Sequence, residues 1–221
     1  MKSNVKIALF DLDSTLIGGD SDYLWGKFLC KNGHVDARFH MDEHQRFYDA
    51  YRAGTLDVHE FLRFQLAPLA ENEAKTLEAW RSRYFAEIIE PLILPKACAL
   101  LDEHRQQGHV LLIITATNRF LTGPIASAFG VQHLIASEPE IIDGRYTGQV
   151  SGTPSYGDGK IIRYHAWLEE NNLHAEESWF YSDSHNDLPL LEEVSHPVAV
   201  DPDTVLRKEA ETRGWPIISL R

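Results

Sequence analysis

The sequence predicts an α/β protein: a doubly wound, mainly parallel core sheet with helices on both faces, and an inserted all-helical subdomain. Three observations predict it. Short apolar runs alternate with helical stretches from residue 95 onward. A long helical stretch separates the first apolar run, Val5 to Phe10, from the next of that quality, Val110 to Ile114. Three of the apolar runs stop at carboxylates or a hydroxyl, the residue types expected where strand ends face a ligand.

Val5 to Phe10 reads as a buried strand that ends abruptly in Asp11-Leu12-Asp13. Ser21 is placed to cap a helix through Tyr23, Leu24, Phe28 and Leu29 that stops at Gly33. Phe39, Phe47, Tyr48 and Tyr51 follow at near-helical spacing until Gly54. Asp57 is placed to cap Val58 to Leu66, which ends near Pro68. Leu77, Trp80, Tyr84 and Ile88 form another stripe before Pro91. Of 23 aromatics, twelve lie between Tyr23 and Phe85, enough to fill the core of a small bundle; the same aromatics suit a dimer contact, so the oligomeric state stays open.

Beyond Pro95 the alternation begins. A helix is expected over Lys96 to Gln107, a strand over Val110 to Ile114, and a helix from about Thr122 to Phe129 with Pro124 in its first turn. Leu134 to Ala136 reads as a strand, and residues 140–146 as a hairpin turning at Asp143-Gly144. A helix over Lys160 to Glu170, a strand over Trp179 to Tyr181, helical Leu188 to Val194, strand Val198 to Val200, helix Thr204 to Thr212 and strand Ile217 to Leu220 complete the chain.

Composition excludes several classes. Hydrophobic residues make up 43% and charged residues 24% of 221, values of an ordinary globular chain. The net charge is −12 and no Lys/Arg cluster offsets it, which argues against nucleic acid and anionic lipid as partners. The start of the chain offers too few apolar positions before Asp11 for a signal peptide or a membrane span. Two cysteines, Cys30 and Cys98, have no metal-ligand spacing and read as core filler in a reducing compartment, so a cytoplasmic location is expected. An acidic protein that handles phosphate must supply positive charge locally, from a metal or a buried lysine.

Asp11 and Asp13 lie two apart, which puts both on one face of a strand end. Two close carboxylates repel unless a cation sits between them or one keeps a proton. Magnesium takes such hard oxygen ligands and keeps positions open for water and phosphate. A pair of loop acids capping a helix is the competing structural reading. Thr115 ends the second run, Lys160 opens a helix where a cation is slightly misplaced, and Asp183 with Asp187 ends a third run.

Four segments in this order carry a family resemblance. Phe10-Asp11-Leu12-Asp13-Ser14-Thr15-Leu16, the strand Leu112 to Ile114 ending in Thr115-Ala116-Thr117, Lys160, and Tyr181-Ser182-Asp183-Ser184-His185-Asn186-Asp187-Leu188-Pro189-Leu190-Leu191 resemble the four motifs of the haloacid dehalogenase (HAD) superfamily. The insert after the first motif resembles the cap of its phosphoserine-phosphatase-like branch. The resemblance implies a Rossmann-like core formed by residues 1–17 and 91–221, with a helical cap over 18–90 that selects the substrate. It implies a Mg²⁺-dependent phosphatase acting on a small phosphate monoester. Asp11 would be the nucleophile and Asp13 the general acid and base. Thr115 and Lys160 would hold the phosphoryl oxygens. Asp11, Asp183 and the main-chain carbonyl of Asp13 would bind the metal. Asp187 would support that site, and Asn186 would orient Lys160 or a phosphate oxygen.

The substrate reading rests on departures from that branch. Phosphoserine phosphatases carry Glu nine residues after the nucleophile, where this chain has Asp20, and a cap Arg for the substrate carboxylate, where it has Gln65, with Arg63 two residues earlier. Gln cannot replace the bidentate pair of Arg with a carboxylate. A phosphorylated amino alcohol without a carboxylate fits better. The segment Gly19-Asp20-Ser21-Asp22 is similar to that of bacterial HAD histidinol-phosphatases, so L-histidinol phosphate is the expected substrate, with Asp20, Asp22, Arg63, Gln65 and Thr117 as candidate substrate-binding residues; phosphoserine is the alternative.

Other classes fit less well. A signalling receiver domain phosphorylates an Asp well after its first acidic pair, a decayed scaffold would lack a nucleophile or ligand, and a phosphotransferase shares the same intermediate and is inseparable by sequence. His40 and His44 lie four apart on a helix, but Met41 stands where a zinc protease needs Glu, so both are expected on the surface of the insert. Gly157-Asp158-Gly159-Lys160 fails as a nucleotide-binding loop because Pro154 and Ile161 occupy its required positions.

Overall fold

The computed structural model describes residues 2–221. Strand β1 (Ser3–Phe10) lies at the centre of a seven-stranded sheet. Its last four residues are fully buried and split by the strand period: Ala8 and Phe10 enter the core on one face, Ile7 and Leu9 that on the other. β2 (Val110–Asn118) repeats this division, with Leu111 and Ile113 opposite Leu112 and Ile114. Both strands therefore read as continuous apolar runs, as strands covered on both faces must.

The remaining strands are β3 (His133–Ile142), β4 (Arg145–Ser151), β5 (Leu173–Ser182), β6 (His196–Val200) and β7 (Ile217–Ile218). The order is β4-β3-β2-β1-β5-β6-β7, parallel throughout except for the β3–β4 hairpin. That hairpin turns at Asp143 and Gly144, both at positive φ, the geometry of a two-residue turn that follows strand twist. The two short runs expected around residues 134–146 are continuous in β3, whose register shifts just past Pro139, where the ladder tolerates a residue without an N–H. β2 continues past Ile114 because Asn118 still pairs with Ser137, and β5 begins well before Trp179 because its polar first half pairs with the start of β1.

Four helices separate β1 from β2's own preceding helix: α1 (Ser21–Lys31), α2 (Ala37–Arg52), α3 (Val58–Ala70) and α4 (Ala74–Tyr84). The chain continues through a π turn (Phe85–Ile89) and a 3-10 turn (Glu90–Leu92) into α5 (Pro95–Gln106). α6 (Arg119–Ala128) joins the insert and α5 on one face of the sheet, while α7 (Asp158–Glu170), α8 (Leu188–Glu193) and α9 (Thr204–Arg213) cover the other. The insert leaves and rejoins the core at one place: Gly18 N–H donates to Leu92 O at 2.8 Å, and Ile17 and Ile93 form an antiparallel bridge.

Several boundaries differ from the sequence reading. Asp20, not Ser21, caps α1, its Oδ1 accepting from the N–H groups of Asp22 and Tyr23 at 2.9 Å. α3 runs past Pro68, which sits in its last turn beside buried Leu69. Asn118 caps α6 three residues earlier than expected, so Pro124 lies in the helix interior. His40 and His44 are buried, not on the surface, packed against Phe64 and, for His44, over Gly26. Cys30 and Cys98 are half-buried rather than fully within the core. Among the described residues no helix is long and apolar enough to cross a membrane.

Candidate active site

The C-terminal ends of β1, β2 and β5 meet at one edge of the sheet, and each brings the side chain that the sequence pointed to. Asp11 follows β1 directly, and its N–H still pairs with Tyr181 O at 2.9 Å. The chain then turns sharply: Ser14 has φ +58° and donates its N–H to Gly19 O at 2.9 Å. A non-glycine residue in the left-handed region costs free energy, and such strain gathers at functional sites.

Lys160, in the first turn of α7, is buried with its Nζ 2.8 Å from Asp11 Oδ1 and 2.8 Å from Asp187 Oδ2. This explains a cation at a helix N-terminus: two carboxylates outweigh the helix dipole. Burial alone works to lower the ammonium, but Asp11 and Asp187 together hold it above its ordinary value, so it stays charged. Asp187 also accepts from Ser182 Oγ at 2.6 Å. It thus anchors the lysine rather than standing free. Gly159 is required beside it, because a Cβ there would meet Pro154 O at 2.1 Å.

Asp13 is held by two donors, Ser21 N–H to Oδ1 at 2.6 Å and Thr117 Oγ1 to Oδ2 at 2.8 Å. Burial, then the nearby Asp20, push its carboxyl up to about 6 against those hydrogen bonds. A group at that value is suited to giving and taking a proton near neutrality. Thr117 therefore grips Asp13; its hydroxyl is committed there. Thr115 is buried on the same strand and its Oγ1 accepts from Thr117 N–H at 3.2 Å.

Thr15 Oγ1 lies between two carboxylates, 3.5 Å from Asp11 Oδ2 and 3.4 Å from Asp183 Oδ1. Both contacts are long, so neither oxygen has a strong donor. Burial first, and then Asp11 and Asp187, push the Asp183 carboxyl up to about 8. Asp11 is pushed up by burial and by Asp187 and Asp13, against Lys160. Two desolvated carboxylates facing a shared gap fit a hard cation. Among the described residues no group of three or more His, Cys, Asp or Glu side chains is arranged to hold a metal ion. Carboxylate oxygens are the hard donors that magnesium takes, and the pair lacks the imidazole and thiolate ligands on which most zinc sites are built.

The remaining candidates separate. Asp20 is spent on capping α1. Asp22 is buried, its Oδ1 has no partner among the described residues, and burial with Asp20 and Asp13 pushes its carboxyl well above the ordinary range. Gln65 is buried, its Nε2 unpartnered among the described residues. Arg63 is exposed beside Asp57, because the buried face of α3 carries Leu62, Gln65, Leu66 and Leu69. Asn186 does not reach Lys160; it accepts from Tyr156 OH at 3.0 Å and donates to Ser184 Oγ at 3.3 Å. His185 is paired with Asp203 at 2.7 Å. Thr15 and Ser182 have no role in the sequence reading, although both lie inside its motifs.

The sequence profile of the haloacid dehalogenase-like hydrolases matches residues 8–192. The chain belongs to this family. Among HAD proteins it is 43% identical over 219 residues to the histidinol-phosphatase of Neisseria meningitidis serogroup C (strain 8013), covering 97% of this chain and 99% of that one. A crystal structure of a protein of unknown function from Bordetella pertussis Tohama I superimposes with a TM-score of 0.93 at 42% identity, covering 99% of this chain and all of the other. A phospho-aspartyl intermediate analogue of phosphoserine phosphatase superimposes with a TM-score of 0.71 at 17% identity over 99% and 95% of the two chains, which establishes the shared HAD fold.

Proposed function

We propose that this HAD hydrolase is a magnesium-dependent phosphomonoesterase that works through a phospho-aspartate on Asp11 and takes L-histidinol phosphate. Asp11 attacks phosphorus while Asp13 gives its proton to the departing alkoxide oxygen. Asp13, now a base, takes a proton from the water that breaks the acyl phosphate. Lys160 and Thr115 neutralise and orient the phosphoryl oxygens, with Asp187 fixing the lysine. Asp11, Asp183 and the carbonyl of Asp13 would hold magnesium, which supplies further charge neutralisation at the phosphoryl group. Residues 18–90 act as the cap that admits and selects the ester.

The observation that carries the substrate is Asp22, a buried carboxylate oxygen without a donor, close enough to Asp13 to feel its charge. Such a group keeps a proton when alone, and stays ionised at low cost when a cation meets it. The ammonium or imidazolium of histidinol phosphate supplies one. Phosphoserine would bring a carboxylate as well, and the cap offers it neutral Gln65 and an outward-facing Arg63. The relative from Neisseria supports the same choice.

The test is phosphate release from histidinol phosphate, phosphoserine and an aryl phosphate with neither amine nor carboxylate, with and without magnesium, in the native enzyme, Asp11→Asn and Asp22→Asn. Magnesium-dependent release that is lost in Asp11→Asn and fastest with histidinol phosphate is expected. Asp22→Asn is expected to raise KM for histidinol phosphate at least tenfold, about the effect of a charge-assisted hydrogen bond. Faster turnover of phosphoserine would overturn the substrate, and no release from any ester the reaction.

A further inference from the structure

Tyr51, at the end of α2, reaches out of the cap. Its phenolic oxygen lies 2.6 Å from Ser184 Oγ, in the loop between Asp183 and Asp187. Ser184 Oγ accepts from Asn186 N–H at 3.2 Å and from Asn186 Nδ2 at 3.3 Å. Those two contacts fill its acceptor sites and leave its own O–H to donate to Tyr51. The Ser184 N–H donates to Ser182 Oγ at 3.2 Å, Ser182 Oγ donates to Asp187, and Asp187 holds Lys160 on the nucleophile. One unbroken chain of polar contacts thus runs from a cap helix to Asp11. Tyr156 flanks it, its ring 6.1 Å from that of Tyr51 and its hydroxyl on Asn186.

We propose that Tyr51 is the latch of the cap, a positioning residue that fastens α2 to the Asp183–Asp187 loop through Ser184 and closes the cap over Asp11. The proposal rests on residues 18–90 acting as a cap. Packing does not need the bond: Tyr51 is half-buried, and a phenyl ring keeps its contact with Tyr156. The bond instead sets how much of the free enzyme is closed. A bound substrate also holds the cap shut through its own contacts. Losing the latch therefore weakens capture more than it slows the reaction of what is captured.

The experiment compares native enzyme, Tyr51→Phe, Ser184→Ala and the double variant in steady-state turnover of the best ester of the panel above, and in hydrogen exchange of the α2 amides without substrate. Tyr51→Phe is expected to raise KM about three- to tenfold, the value of one neutral hydrogen bond, with a smaller change in kcat. The α2 amides are expected to exchange faster. In the Ser184→Ala background Tyr51→Phe is expected to add little, since both remove the same bond. A fall in kcat at unchanged KM, unaltered exchange, or additive effects of the two substitutions would each overturn the latch. The exchange arm needs no turnover, so a wrong substrate assignment leaves it decisive.

Discussion

The Lys160 ammonium sits 2.8 Å from the Asp11 carboxylate, with both groups withdrawn from water. A buried pair of this kind is worth little against an apolar pair of the same shape, but removing one partner strands the other. Lys160→Met is expected to lower kcat at least a hundredfold and to destabilise the fold by about 3 kcal/mol. Thermal unfolding at pH 7 measures the second effect, and an unchanged midpoint would mean that Asp11 and Asp187 do not depend on the lysine.

Thr117 offers a test of proton transfer that leaves the reacting groups in place. Its hydroxyl donates to Asp13 and so favours the carboxylate form. Thr117→Val removes that donor, and the Asp13 carboxyl must rise from its value near 6. The limb of the pH–rate profile that reports Asp13 is expected to move to higher pH. A profile that keeps its limbs while kcat falls would assign Thr117 to another task.

His44 predicts how stability responds to acid. Burial, and then His40, lower its imidazole to about 4, whereas an unfolded chain has the ordinary value of 6.5. Between those values the unfolded chain binds the extra proton. Stability is therefore full above about pH 6.5 and falls as pH drops toward 4, by up to about 3 kcal/mol from this residue. Replacing His44 with Phe should flatten the dependence of the unfolding midpoint over that window; an equally steep dependence would assign it to other groups.

Gly26 is bound up with the same histidine. A Cβ at position 26 would sit 2.0 Å from His44 Nε2. Gly26→Ala is expected to destabilise by about 1–3 kcal/mol, as overpacking does, although alanine is the better helix former. His44→Ala in the same chain should recover part of that loss, and a strictly additive double variant would refute the clash.

The fold was legible wherever burial on both faces made a strand wholly apolar, as in Ile7 to Phe10 and Leu111 to Ile114. It was less legible where pairing runs into polar sequence: Leu173 to Ser178 is held in β5 by its neighbour rather than by its own side chains. The catalytic candidates were readable because Asp11 and Asp183 follow strands, Thr115 follows the apolar run of β2 and Lys160 lies in the first turn of α7. Their partners were not. Nothing in a linear spacing says that Asp20 is consumed by the N–H groups of α1 while Asp22, two residues on, is left unpaired. His40 and His44 misled for a related reason, since a histidine stripe looks alike facing water or facing Phe64 and Gly26.

The insert departs at Gly18 and returns at Leu92, and the two passages touch there through a single antiparallel bridge. Its ends are thus already neighbours, and a short loop could span them with the β-sheet order undisturbed. The seventy-odd residues between them are nevertheless tied to the core away from that junction: Trp25, Phe28 and Leu66 share one buried cluster with Phe10 and Ile113, and Ser21 N–H holds Asp13. A chimera that joins a donor segment at these two points therefore has to carry over that buried face and the contact to Asp13 along with the proposed cap.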